Sequence, residues 1–352
     1  MTLTILADDL TGACDAGALF ARRAPVPATV HPQPRVPGDV AAIDTESRAL
    51  PADEARACVI AAARSIRSNL WFKKIDSTLR GAIMAEVDGL MRQVSASRAL
   101  LCPALPSQGR TLVGGILRID QIPVDETVLA RDPSFALESS DIVTALRATT
   151  VRRIEWCALE NLRRGRLPDA EGAIVICDAE SDADLDLIVT AGLEGRPAPV
   201  LVGSAGLAGA LARRLELAGA PARIPPGLRW LIVAGSLHPA TAAQLAAVGD
   251  RRTRIVTPPA AVTADRQAVA AELARRARKI IETEAVDLVA VTGGETAVAL
   301  YREFDAERID LLGAPGPGLA LGRLRRGDGL ELLLLTKAGA FGAPDLFARL
   351  IA

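Results

Sequence analysis

The chain has 352 residues, half of them hydrophobic, 3% aromatic and 24% charged; 41 Lys and Arg face 42 Asp and Glu, for a net charge of −1. A near-neutral balance gives no global field to draw in nucleic acid or an anionic membrane, and no run of the sequence has the length and apolarity of a membrane span. The length exceeds one hydrophobic core and predicts two domains.

Short Val/Ile/Leu-rich runs alternate with longer Ala/Leu/Arg helical patterns, the signature of an α/β protein with parallel sheets covered by helices. In chain order the predicted strands of the first half are TLTILA, NLWFKKI, RALLCPAL, GAIVICD and PVLVG. Between them PADEARACVIAAARSIRS and GAIMAEVDGLMRQV return apolar residues every three or four positions, as amphipathic helices do. GGILRIDQIPVDET breaks the alternation and predicts a β-hairpin inserted in the first half. The stretch LAGAPARIPPGLRW clusters three prolines and two glycines and marks the junction, so the domains are expected at 1–220 and 228–352. Beyond it WLIVAGS, TRIVTPP, VDLVAVTGGET and LELLLLTKAGAFG are strands that run into small-residue loops.

In open α/β sheets ligands sit beyond the carboxyl ends of the strands, where loops and helix N-termini converge. Three charged clusters stand there in the first half: ADDLTG with Asp8 and Asp9, IDTESR with Asp44 and Arg48, and KKIDSTLRG with Lys73, Lys74, Asp76, Ser77, Thr78 and Arg80. Arg80 and Lys74 have the chemistry to hold a carboxylate, and Asp76 to accept a hydroxyl proton. A plainer reading stays open at this point. Asp76 or Ser77 would cap a helix starting near Thr78, and Asp9 or Thr11 would cap the first helix. CPALPSQGRT, with Ser107, Gln108, Gly109 and Arg110, reads as a turn.

The strand ends of the second half, AGSLHPATAAQ, TGGETA and KAGAFG, carry glycine and hydroxyl groups and almost no charge. Backbone N–H groups in such loops approach phosphate oxygens closely, which suits a nucleotide. Neither the Walker pattern nor a dinucleotide G-x-G-x-x-G after a strand is present, and the latter gap counts against an NAD(P)-dependent dehydrogenase. His31 and His238 are the only histidines and have no nucleophile motif beside them. Five scattered cysteines, Cys14, Cys58, Cys102, Cys157 and Cys177, form no C-x-x-C pair, as expected of reduced thiols in a cytoplasmic protein without zinc. MTLTILADD at the N-terminus reads as a strand and not as a signal peptide.

Taken in order, ADDLTGACDAG, IDTESR, KKIDSTLRG, CPALPSQGRT, ETVLARDP, GSAGLA, AGSLHPATAAQ, VTGGETA and KAGAFG resemble the four-carbon acid-sugar kinase family, from residue 5 to about 342. The resemblance implies a two-domain, ATP-dependent kinase that phosphorylates the terminal hydroxyl of threonate, erythronate or a 3-oxo-tetronate, with Mg2+ beside the ATP. It implies sugar-acid contacts from Asp8, Asp9, Arg48, Lys74, Asp76, Ser77 and Arg80, with Asp76 or Asp9 assisting deprotonation. ATP contacts would come from Ser236, Gly293, Gly294, Glu295, Thr296 and Gly339. The chain departs from the family pattern at Ala82, where Asn is common, and at Ala340, where a second glycine is common. A non-catalytic sensor of sugar acid or nucleotide is the rival reading, and a homo-oligomer is open.

Overall fold

Short runs rich in Val, Ile, Leu and Ala form most of the strands of a computed structural model that describes residues 2–352 except 34–35, 37, 65, 132–136, 138, 196–197, 236–237, 250–251, 259–264 and 340. The first half comprises β1 (Leu3–Ala7), α1 (Leu10–Ala18), β2 (Val26–Val30), β3 (Val40–Asp44), α2 (Ala52–Arg64), β4 (Leu70–Lys74), α3 (Ile83–Gln93) and β5 (Ala99–Cys102). An antiparallel excursion follows, β6 (Arg110–Val113), β7 (Ile116–Ile119) and β8 (Ile122–Pro123): the hairpin expected over 114–127 is β7 with β8, and it gains β6 ahead of it, which begins at Arg110 in the segment expected to be only a turn. Then come α4 (Ile142–Arg147), β9 (Ile154–Cys157), α5 (Leu159–Arg163), β10 (Ile174–Cys177), α6 (Asp182–Glu194), β11 (Val200–Gly203) and α7 (Ala205–Arg214). The second half comprises β12 (Trp230–Ala234), α8 (Pro239–Ala246), β13 (Thr253–Val256), α9 (Arg266–Thr283), β14 (Leu288–Thr292), α10 (Gly294–Glu303), β15 (Ala306–Gly313), β16 (Leu319–Arg326), β17 (Glu331–Lys337) and α11 (Leu346–Ile351). Among the described residues no helix is long and apolar enough to cross a membrane.

The mainly parallel sheets of the two halves join edge to edge into one sheet of 14 strands, ordered β13-β12-β14-β17-β16-β15-β2-β3-β1-β4-β11-β5-β10-β9. Strands β2 to β9 of that order pair in parallel, as do β13, β12, β14 and β17. The seam is antiparallel: β17 with β16, β16 with β15, and β15 with β2. Sequence reading had not singled out β2, β3, β9, β15 or β16 as strands. Pro27 in β2 and the charged, two-sided pattern of β15 and β16 hide them.

Three antiparallel steps leave the two parallel sets running in opposite senses. Strand β14 is six steps from β1 in the sheet, and a twist of about 20–25° per step turns the sets back toward a common side. Helix α1 is the axis of that curl. All nine of its residues are buried, and a Cβ on Gly17 would stand 2.6 Å from Leu311 Cδ1 on β15 and 3.1 Å from Ala42 Cβ on β3. Only a helix of small residues fits between strands from both halves.

One face of the sheet carries a continuous core that includes α1, α6, α7, α9 and α10. The other face is covered in the first half by α2, α3, α4 and the hairpin, and in the second by α8 and α11. The helix that follows β1 therefore leaves on the opposite face from those that follow β3 and β4, and β12 and β14 also send their helices to opposite faces. Such switch points open crevices at strand ends.

Candidate functional site

Asp8 and Asp9 follow β1, and their repulsion is met by one arginine from the loop after β3. Arg48 donates to Asp8 through Nε and Nη2 at 2.8 Å each, and Nη2 also reaches Asp9 Oδ1 at 2.8 Å. Burial by itself would raise the Asp8 pKa and is the largest single influence, but the charge and hydrogen bonds of Arg48 together with the charges of Lys73 and Lys74 outweigh it and hold the carboxyl below its ordinary value. Asp9 has a second task as N-cap of α1, accepting from Gly12 N at 2.9 Å and from Thr11 Oγ1 at 2.6 Å. The capping and functional readings of this loop thus fall on the same residue.

After β4 the two lysines part, because successive strand residues face opposite sides. Lys73 turns toward α3 and forms a buried ion pair with Glu86 at 3.0 Å. Lys74 turns toward α1, where its ammonium donates to Ile75 O at 3.1 Å and lies 3.2 Å from where a Gly12 Cβ would be. Asp76 grips Arg80 in a two-pronged pair, Nε at 3.0 Å and Nη2 at 2.9 Å, and also accepts from the Thr78 hydroxyl. Against its burial, Arg80 and then Arg48 hold Asp76 well below the usual carboxylate range. Ser77 is buried in the same loop.

The helix expected near Thr78 starts instead at Ile83. Leu79 at φ 63° and Gly81 at φ 97° are left-handed and interrupt any earlier start. At Gly81 a Cβ would come within 3.4 Å of both Arg48 O and Asp8 Oδ2, so glycine lets the three loops close together. Ala82 stands at the N-cap of α3 without a side-chain hydrogen bond.

Two buried acids lie beside this cluster: Asp15, which the sequence reading had not picked out, and Asp44, named with the IDTESR loop but not among the expected contacts. Burial pushes Asp15 of α1 up to about 6, although Lys74 opposes the shift. Asp44, at the end of β3, is raised well above its ordinary value by burial, and its Oδ2 has no hydrogen-bond partner. An acid inside the otherwise small and apolar ACDAGA segment was the available signal for Asp15.

In the second half Ala234, Thr292 and Lys337 stand in register at the ends of β12, β14 and β17. Gly293, at φ 101°, turns the chain from β14 into α10, with Gly294, exposed Glu295 and buried Thr296 in the first turn. Gly235 makes room for that turn, since its Cβ would overlap Thr296 Oγ1. The Gly339 carbonyl accepts from Lys337 Nζ at 2.8 Å and from Thr241 Oγ1 at 3.0 Å. Gly293, Gly294, Glu295, Thr296 and Gly339 thus come to neighbouring strand ends, while Ser236 lies outside the described residues. Lys337 was missed: it is buried, its ammonium donates, among the described residues, to Ala338 O and Gly339 O, and burial pulls its pKa down to about 8. A lysine closing a run of leucines was its sequence signal.

The two clusters meet. A Cβ on Gly294 would stand 2.8 Å from Asp9 Oδ2. From α10, Arg302 pairs with Glu46 and Tyr301 bonds Gln33. From the hairpin, the Arg110 guanidinium lies 4.7 Å over the Phe341 ring, in the loop after β17. A largely buried cluster rich in charge therefore lies against a run of backbone amides and glycines, chemistry able to hold a small anion beside a phosphorylated ligand. Among the described residues no three His, Cys, Asp or Glu side chains gather as metal ligands.

Sequence comparison divides the chain in the same sense. The family model described as sugar-binding N-terminal domain matches residues 3–211, and that described as nucleotide-binding C-terminal domain matches 256–347. The D-threonate kinase of Bordetella bronchiseptica is 31% identical over 98% of this chain and 95% of its own length. The chain belongs to the four-carbon acid-sugar kinase family. Membership places it among transferases that act on a hydroxyl acceptor. Another family member, the D-threonate kinase of Salmonella typhimurium, is 37% identical over 70% of this chain, and the match spans 60% of that relative's length. A solved Salmonella typhimurium structure shares the fold with a TM-score of 0.79 at 21% identity, covering 99% of this chain and 98% of that one. A Bordetella bronchiseptica structure, a domain-swapped dimer with bound citrate, matches at 30% identity and a TM-score of 0.52 over 99% and 96% of the two chains.

Proposed function

We propose that this acid-sugar kinase transfers the γ-phosphoryl group of ATP to the C4 hydroxyl of a four-carbon sugar acid: threonate, erythronate or a 3-oxo-tetronate. The observation that carries the reading is the approach of Gly294 to Asp9, which sets a charged acceptor pocket against a glycine-lined helix N-terminus. The acid would be held by the Asp8–Asp9 loop, Arg48, Lys74, Asp76, Ser77 and Arg80. ATP would be held by Ser236, Gly293 to Thr296 and Gly339.

Lys74 is the best-placed cation for the carboxylate, since among the described residues its buried ammonium has one carbonyl partner and donors to spare. Arg80 binds both oxygens of Asp76 and holds it well below the usual carboxylate range, so we assign it to fixing Arg80; the acceptor hydroxyl goes to Asp9, which is also hydrogen-bonded on both oxygens but whose Oδ2 faces the first turn of α10 at Gly294. A weak base suffices, because little charge builds on the attacking oxygen in a loose phosphoryl-transfer transition state. For Mg2+ the described residues offer no cage of three or more acidic, His or Cys ligands; phosphate oxygens and water are its usual partners. The approach of Gly294 to Asp9 leaves little space, so entry of both ligands would need the halves, proposed at 1–220 and 228–352, to move apart by flexing at both the 221–227 segment and the β15–β2 seam that joins them. A relative holding citrate, itself a hydroxy acid, is consistent with the acid pocket, and its dimeric state keeps a homo-oligomer in the proposal.

The test is ADP release on incubation with ATP, Mg2+ and a panel of D- and L-threonate, D- and L-erythronate and 3-oxo-tetronates. Turnover with one or more of them is expected. Binding of a tetronate without ADP release from any would replace this reading with a sensor.

A further inference from the structure

Arg110 opens β6 at the base of the hairpin and is buried. Its Nη1 donates to Gln108 O at 3.1 Å, its Nε is buried with no acceptor, and among the described residues no carboxylate lies within ion-pair distance. Burial lowers its pKa; the charges of Asp76 and Asp120 offset part of that, and Arg80 adds to it. The neighbouring arginines differ, for Arg48 and Arg80 each spend two donors on an acid. Burying a guanidinium with unmet donors is costly.

Position supplies a reason. Arg110 belongs to the sugar-acid half and lies close enough to feel the Asp76–Arg80 pair. Its flat face rests at 4.7 Å on Phe341, in the final loop of the nucleotide half. We propose that Arg110 is a catalytic residue whose free N–H donors bind oxygens of the phosphoryl group in flight between the two halves. This rests on the kinase reading above. In the step the C4 oxygen forms a bond to the γ-phosphorus, and the bond from that phosphorus to the β,γ-bridging oxygen breaks. The electron pair of the broken bond leaves on ADP, and the hydroxyl proton passes to Asp9 and on to solvent. Arg110 stays protonated and offsets charge spread over the transferring oxygens.

The test compares wild type, Arg110→Ala and Arg110→Lys with ATP, Mg2+ and the tetronate that wild type turns over, with ADP binding and thermal midpoint measured on each. Arg110→Ala is expected to lower kcat about 100- to 1,000-fold, with KM values, ADP affinity and midpoint little changed and with partial rescue by added guanidinium. Should Arg110→Ala fail to fold, Arg110→Lys decides: a single ammonium cannot replace the planar fork, so kcat should still fall at least about tenfold. A folded variant with wild-type kcat, or one whose losses track its midpoint without rescue, overturns the assignment and leaves the kinase reading standing. Absence of turnover by wild type with every tetronate overturns both.

Discussion

The first turn of α10 lies directly on the N-cap of α1: a Cβ at Gly294 would be 2.8 Å from Oδ2 of Asp9, whose other oxygen is held by Arg48. One carboxylate thus ends the first helix, takes part of an arginine and faces the proposed nucleotide loop.

Gly294→Ala should displace Asp9 from that position. The clash falls on a carboxylate that caps α1 and holds Arg48, so a stability loss of about 1–3 kcal/mol is expected. Turnover should drop by about tenfold or more, as misplacement near the reacting atoms does. Steady-state kinetics with a thermal melt check this; unchanged kcat would show that the approach is incidental.

Asp76→Asn should abolish turnover yet leave ATP binding intact, since Arg80 would lose its fixing partner while the second half is untouched. The native pKa of Asp76 lies well below its unfolded value. Its stabilising contribution is therefore complete above about pH 4 and is lost as pH falls through the native value. Acid titration of the fold should show that loss in wild type and a smaller one in the variant.

Asp15 has the opposite sign. Its native pKa of about 6 exceeds the ordinary 3.8, so the folded chain holds a proton that the unfolded chain has released between those values. Stability from this group is present below about pH 4 and is lost as pH rises through about 6. Asp15→Asn should match wild type near pH 4 and exceed it at pH 7 to 8 by on the order of 1–3 kcal/mol. Parallel urea melts at the two pH values test it, and equal stability at both would reject the buried-acid account.

Lys337, with a native pKa of about 8 against 10.5, lowers stability fully below pH 8, and the penalty fades as pH rises from about 8 to 10.5. Lys337→Met should remove that rise. ATP phosphates brought near the ammonium would favour its charged form, so ATP binding at pH 8 should take up a proton. Calorimetry in buffers of different ionisation enthalpy measures this, and no uptake would place the triphosphate away from Lys337.

Ala82→Asn should stabilise the fold by about 0.5–1 kcal/mol, because the N-cap of α3 has no side-chain acceptor. A lower or unchanged melting midpoint would mean that the loop before Ile83 does not admit the cap.

Strand and helix periodicity, the hairpin and the contrast between charged and glycine-bearing strand ends were legible in the amino-acid order, because each depends on neighbours within a few residues. The same held for Asp9 as a helix cap. Which side chains meet was decided by register between strands distant in the chain. Arg48 reaches Asp8 across 40 residues, Lys73 and Lys74 part according to the face each occupies, and Arg110 finds Phe341 only once the sheet is closed. The antiparallel seam of β15 and β16 and the curl around α1 set the two halves facing each other. Local propensity carries no record of such pairings, since strand order and twist belong to the whole sheet.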